Sequence, residues 1–241
     1  MKRIVWVAVI GAIVMMVLFY QFGYQIGPDP FSHEVYNRNW TSANNATYVE
    51  LLEANSKEWG LGHRLEAYLS LDREYSWYID QGDTGIHSNN NCGPSAVAMA
   101  IKWYRYDSEL SADWARFYRR PWGGWWYSED ISKTLDKFKI PNDQVAVSKV
   151  SHLVNLLQQE KLLIVCNNMG VIPMAAASSS GATSSRVNRF YGFSGGHFLV
   201  VSGFVQVDDT LYFQVNDPNS WGQLNGDGTP KGRNRYYEAK S

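Results

Sequence analysis

Cysteine is scarce: the 241-residue chain has two, Cys92 and Cys166. Two thiols cannot build a disulfide framework or a four-cysteine zinc site. There is no His-Glu-x-x-His and no close Cys/His cluster, so metal catalysis has little to stand on. No Gly-x-x-x-x-Gly-Lys-Ser/Thr loop is present to cradle a phosphate, and no cofactor is implied. Excess charge of one sign is missing too. The 22 basic residues balance 23 acidic ones, and no Lys/Arg run exceeds two residues. A nucleic-acid partner is therefore not expected. No internal repeat occurs. What is abundant is apolar and aromatic material, 45% and 15% of the chain, which excludes wholesale disorder and suffices for a core. The length fits one large domain or two small ones.

The longest apolar run lies at the N-terminus. Lys2 and Arg3 precede an uncharged stretch over residues 4–20, and extension to 26 adds only Gln21 and Gln25. As a helix the longer version covers roughly 34 Å, enough to cross a ~30 Å hydrocarbon core with some tilt. Residues 19–24 offer no pair of small residues for signal-peptide cleavage, which favours an uncleaved anchor over a cleaved signal. With the positive charges before the span and Asp29 and Glu34 after it, the N-terminus is expected in the cytoplasm and the rest outside. If the segment is cleaved, the protein is secreted. The expected plan is an N-terminal tip and transmembrane helix over 1–26, a stalk or packing arm over 27–64, and an extracytoplasmic domain over 65–241.

Periodicity places a short helix near 47–55 and further helices over 95–106, 111–119, 128–138 and 149–160. Ser128 and Ser148 are suitable N-caps. After residue 161 the period changes, and 162–166, 197–205 and 211–216 read as strands. Helices before strands argue an α+β fold with segregated layers. The Ala/Ser-rich stretch at 175–186 reads as a long loop. The aromatic block Pro121-Trp122-Gly123-Gly124-Trp125-Trp126-Tyr127 reads as a turn packed on the core, with a substrate cleft or a membrane contact as alternatives.

The sharpest segment is Asn91-Cys92-Gly93-Pro94-Ser95-Ala96-Val97-Ala98-Met99. Pro94 suits a first helical position, which sets Cys92 at a helix N-terminus. Free backbone N–H groups and the helix dipole there favour an anion. An ordinary thiol of pKa ~8.5 is only about 3% ionised at pH 7, and such a site can lower that pKa by several units. A nucleophile needs a base. His33, His63, His87 and His152 have unremarkable settings. His197 follows Gly195-Gly196 and opens the apolar run Phe198-Leu199-Val200-Val201, so a strand would fix its imidazole. The strands over 197–205 and 211–216 fit one hairpin turning at Asp208-Asp209. Folding back about that turn brings Asp217 near His197, where a carboxylate sets the tautomer. A slip of one residue would substitute Asn216. The Cys92 N–H and a side-chain amide can stabilise an oxyanion. Gln81 is a candidate, with Asn89, Asn90 and Asn91 as competitors. Cys166 ends an apolar strand and reads as a buried structural thiol.

Four segments in order, Tyr78-Ile79-Asp80-Gln81, Asn91-Cys92-Gly93-Pro94, Gly196-His197-Phe198-Leu199 and Val215-Asn216-Asp217-Pro218, resemble the C39-type, papain-like cysteine peptidases. The resemblance spans about residues 70–221. It implies a papain-like fold, a nucleophile helix packed on a C-terminal antiparallel sheet. It implies Cys92 as nucleophile, His197 as general base, Asp217 as orienter and Gln81 as oxyanion donor. The expected substrate is a peptide or protein, and the expected membrane contact is the N-terminal helix. Gln81 stands eleven residues before Cys92, a wider gap than the leader-cleaving members suggest. With no phosphate loop and one expected span, the chain is not a transporter of that group. A peptidoglycan amidase or endopeptidase, an acyl-transferring enzyme and an inactive peptide-binding module are the alternatives. Asn-Cys-Gly-Pro fits the first of these less well than Asp-Cys-Ser/Gly would, and retention of Cys92, His197 and Asp217 together argues against the last.

Overall fold

The computed structural model describes residues 4–6, 16–19, 45–175 and 185–239. Its elements in chain order are β1 (Ile4–Trp6), β2 (Met16–Phe19), α1 (Asn45–Trp59), β3 (Leu65–Ser70), α2 (Cys92–Tyr104), α3 (Ala112–Tyr118), α4 (Ser128–Lys137), β4 (Asn142–Val145), α5 (Val150–Gln158), β5 (Leu163–Asn168), β6 (Gly196–Val207), β7 (Thr210–Asn216) and β8 (Arg235–Glu238). The strands form one sheet in the order β1-β4-β2-β5-β6-β7-β8, with β3 also on β6. From β5 to β8 every pairing is antiparallel. Helix and antiparallel sheet together give the expected α+β class.

β6 organises the sheet. It pairs with β7 on one edge and shares the other between β5, along its first half, and β3, along its second. The turn from β6 to β7 is made by Asp208 and Asp209, both at positive φ (47° and 63°). Two consecutive left-handed residues match the twist of a tight hairpin, and Asp tolerates that conformation. A bulge between Val201 and Gly203 shifts the alternation along β6. Before it, Phe198 and Val200 face α2 while Leu199 and Val201 face α5. After it, Phe204 joins the α5 side, and Val205 and Val207 pack with Leu52 and Trp59 of α1.

The helices do not segregate to one side as the element order suggested. α2 buries Ala96, Val97, Ala100 and Ile101 with Ile164, Phe198 and Val200. α5 buries Leu153, Leu156 and Leu157 with Val165, Leu199, Phe213 and Val215 on the opposite face. A sheet apolar on both faces needs cover on both, and residues 198–201 form such a two-sided run.

The N-terminal segment also differs from expectation. The single helix expected within 4–26 is not what the described parts adopt, for Ile4–Trp6 and Met16–Phe19 are strands. They pair with β4 and β5. The cause is the ambiguity of a continuous apolar run, which carries no period to separate helix from strand and is rich in β-branched Val and Ile. The rest of that segment and the 27–44 stretch lie outside the described residues, as does 176–184 of the Ala/Ser loop. Among the described residues, no helix is long and apolar enough to cross a membrane. Two caps shift by one residue. Tyr127 is the N-cap of α4, with its backbone N–H on the Asp130 carboxylate, and Lys149 is the N-cap of α5.

Candidate active site

Cys92 is the first residue of α2, and Asn91 is its N-cap. Pro94 therefore occupies the third helical position, where its missing N–H costs nothing because the first four N–H groups have no intrahelical partner. Gly93 is required by a neighbour. A Cβ there would stand 2.8 Å from the Cβ of Trp126, so the aromatic block lies directly against the nucleophile turn. Within that block Trp126 is buried, while Trp122, Trp125 and Tyr127 are exposed, so only part of the expected core-packed turn is packed.

His197 is the second residue of β6, opposite Asn167 of β5. A Cβ built on the preceding Gly196 meets open space. The hairpin returns Asp217 to it, and His197 Nε2 lies 2.7 Å from Asp217 Oδ1. His197 also shares a side-chain hydrogen bond with Cys92. Asn216, the residue a one-step slip would have brought in, instead donates to Ser202 Oγ (3.2 Å) and accepts from the Asn234 N–H.

All three groups are buried. Burial works against ionisation of Cys92. The hydrogen bond and charge of His197 outweigh it, with help from the Phe198 and Gly93 backbone N–H groups, and hold the thiol below its ordinary pKa. Burial likewise opposes a charged His197. The Asp217 carboxylate and the Cys92 side chain overcome that and raise its pKa to about 10. For Asp217, burial raises the pKa and His197, Tyr191 and Tyr237 lower it, with a net depression. The arrangement can hold a thiolate beside an imidazolium largely out of solvent.

Asp217 is held by four donors. Oδ1 takes His197 and the Asn219 N–H (2.9 Å), and Oδ2 takes the hydroxyls of Tyr191 (2.6 Å) and Tyr237. Burial, then the Asp217 charge, push both tyrosines well above their ordinary pKa, so both stay donors. Sequence reasoning missed them. Tyr237 carries a weak signal in the strand-like Arg235-Tyr236-Tyr237-Glu238, and Tyr191 carries none.

Gln81 is buried and opens a short 3₁₀ turn, Gln81–Asp83. Its backbone N–H donates to Pro218 O (2.7 Å), next to Asp217. Its side-chain Nε2 donates to Ser88 O at 3.3 Å, and Oε1 has no partner. The wide spacing to Cys92 is absorbed by that turn and a second one, Gly85–Asn90, which fold the intervening chain onto itself. Asp80 staples this stretch to the other side of the site by accepting from the Trp221 and Gly222 N–H groups (2.9 and 2.7 Å). Tyr78 donates to Asp217 O (2.7 Å). Of the competing amides, Asn91 is fully committed to internal bonds with Thr84 and Arg116. Cys166 is a free thiol whose burial raises its pKa to about 12, so it stays protonated. Among the described residues, no cluster of His, Cys, Asp or Glu could hold a metal ion.

No curated protein and no solved structure matches the chain. A family model does, over residues 74–240, from just before the Gln81 turn to the end of the described sheet. That match takes in Gln81, Cys92, His197 and Asp217, and by it the chain belongs to the Peptidase_C39 like family.

Proposed function

We propose that the chain hydrolyses peptide bonds in a peptide or protein substrate through Cys92, His197 and Asp217. The observation that carries this reading is the placement of His197, whose Nε2 lies 2.7 Å from Asp217 Oδ1 and whose side chain also shares a hydrogen bond with Cys92. In this reading the Cys92 thiolate attacks the scissile carbonyl carbon. The oxyanion accepts hydrogen bonds from the Cys92 N–H and from the Gln81 amide hydrogen not given to Ser88. As the C–N bond breaks, His197 passes its proton to the leaving amine. Water then attacks the thioester, returning a proton to His197 and freeing the thiolate. Asp217 keeps the imidazole oriented and stabilises its charged form.

The proposed location is extracytoplasmic, tethered by the N-terminal segment. Its support is the sequence: Lys2 and Arg3 before the apolar run, and acids after it. Alkaline carbonate extraction of membranes from cells making the full chain tests it. Retention in the pellet supports the tether, and release overturns it and leaves the strand pairing of Ile4–Trp6 and Met16–Phe19 in its place.

The test of the chemistry needs no known substrate. The full chain carrying Cys166→Ser is alkylated with iodoacetamide across pH and read by mass spectrometry. Labelling of Cys92 that persists well below pH 7 and disappears in His197→Ala is the expected result. An ordinary thiol titration overturns the pairing. Incubation with a pool of peptides follows, and new peptide termini that vanish in Cys92→Ala are expected. Fast low-pH labelling without any cleavage would overturn the peptidase reading while leaving the thiolate intact.

A further inference from the structure

Arg116 lies in α3, is 2% exposed, and makes no salt bridge among the described residues. Its guanidinium hydrogen bonds go to neutral oxygens. Nε donates to Asn91 Oδ1, Nη2 to Asn90 O (2.7 Å), and Nη1 to Arg120 O and Gly124 O (both 3.2 Å). Burying a guanidinium without a carboxylate is costly, and hydrogen bonds to carbonyls offset only part of that. The bonds tie three pieces together: the two residues just before Cys92, the end of α3, and the aromatic block that leans on Gly93.

The chain of bonds continues beyond Asn91. Asn91 Nδ2 donates to Thr84 O (2.9 Å) and Thr84 Oγ1 (2.8 Å), and the Thr84 hydroxyl donates to Gln81 O (2.6 Å). One buried cation thus anchors a relay that runs to the N-cap of the nucleophile helix and on to the Gln81 turn. We propose that Arg116 is the positioning residue of this site, fixing Cys92 and Gln81 relative to each other and supplying a buried positive charge on the α3 side of the thiolate. The inference rests on the cysteine-peptidase reading above.

The electrostatics agree in direction. Burial pulls the Arg116 pKa down, and the charge of Cys92 pulls it up, which is the reciprocal of a cation favouring the thiolate. An arginine keeps its charge even so. The other groups acting on this pair are His197 and Cys166 around Cys92, and Asp113, Arg120 and Asp130 around Arg116. Asp130 is already bonded to Arg119 and Arg120. Among the described residues, Asp113 accepts a long contact, 3.4 Å, from Asn91 Nδ2.

The pH dependence of Cys92 alkylation in the full chain, again with Cys166→Ser, tests the charge. Two variants are compared with the parent protein. Arg116→Met removes the cation. Asn91→Asp keeps the seat of Nε, gives up the Nδ2 donor to Thr84, and sets a carboxylate against the guanidinium that offsets its field. Both are expected to move the labelling inflection upward, so that labelling at pH 6 slows by about threefold to tenfold, one pH unit being tenfold in thiolate. Arg116→Lys, which keeps the charge without the fork, is expected to shift the inflection less than Arg116→Met. A merely structural Arg116 would change melting temperature without moving the inflection. Unchanged inflections in folded Arg116→Met and Asn91→Asp overturn the inference, as does failure of both to fold. If the parent protein itself labels as an ordinary thiol, the cysteine-peptidase reading fails instead, and the two failures are thereby separated.

Discussion

Tyr237 and Tyr191 occupy one oxygen of Asp217 while His197 and the Asn219 N–H occupy the other. A carboxylate so fully bonded cannot rotate without breaking two hydrogen bonds at once. Its direction toward His197 is thereby set by side chains that never touch the nucleophile. Tyr237→Phe leaves Oδ2 with a single donor and is expected to cost about 1 kcal/mol of stability and to raise the Cys92 labelling inflection slightly. Asp217→Asn keeps the shape but cannot stabilise an imidazolium, and its inflection is expected to move much further, toward that of a free thiol. Alkylation profiles of the two variants side by side check the ranking, and an equal shift would contradict it. At this scale the sequence was readable where chemistry demands a rare local pattern. Cys92 before Gly93-Pro94, and His197 between two glycines and an apolar strand, stand out in the linear text. Arg116 does not, because an arginine in an amphipathic helix looks the same whether its head is in water or buried against carbonyls.

α5 and α2 press on opposite faces of the same strands, so each has to be judged by what the other leaves uncovered. Leu157 is fully buried in the α5 layer among Leu163, Val165 and Leu199. Leu157→Ala is expected to lower the unfolding free energy by about 2–5 kcal/mol, the range for a truncated buried leucine, measured by guanidinium denaturation. Cys92 sits on the other face, so its alkylation profile in the folded variant is expected to remain that of the parent. Elements with a strong period were legible in advance: helices near 95–106, 111–119, 128–138 and 149–160 all appear, with ends displaced by a few residues. The β6–β7 hairpin was legible through its Asp-Asp turn. β3, β4 and β8 were not, because they are short and charged or polar residues interrupt them, two of six in Leu65–Ser70, three of four in Asn142–Val145 and two of four in Arg235–Glu238. Such strands exist because β6, β1 and β7 offer them edges, which is information held by partners far along the chain. The α+β class held, but the segregation of helices to one layer did not, since element order says nothing of which face a helix chooses.

For the whole molecule, the coupled charges predict an unusual dependence of stability on pH. His197 has a raised folded pKa, so its contribution is complete below ~6.5, the unfolded value, and is lost as pH rises through the folded value of about 10. Cys92 has a lowered folded pKa, so its contribution grows as pH rises toward ~8.5, the unfolded thiol value. Between ~6.5 and ~8.5 a thiolate–imidazolium pair and an unfolded thiol plus neutral imidazole bind the same number of protons. Those two groups therefore give a plateau in that window and a decline above it. Cys92→Ala removes one side of the balance. Its stability is expected to fall already from pH ~6.5 upward, because the unfolded imidazole gives up its proton there while the folded His197, beside Asp217, keeps its own. Denaturant midpoints of parent and variant at matched pH values check this, and parallel curves would contradict it. The tie between Asp217 and Tyr237 has a different consequence, one of timing. A chain made from its N-terminus presents Cys92 early, but the strand bearing Tyr237 follows 145 residues later (237 − 92). Until that strand pairs with β7, the carboxylate behind His197 lacks its full set of donors. The bonding that fixes Asp217, and through it the orientation of His197 beside Cys92, is thus completed only by the last strand of the sheet.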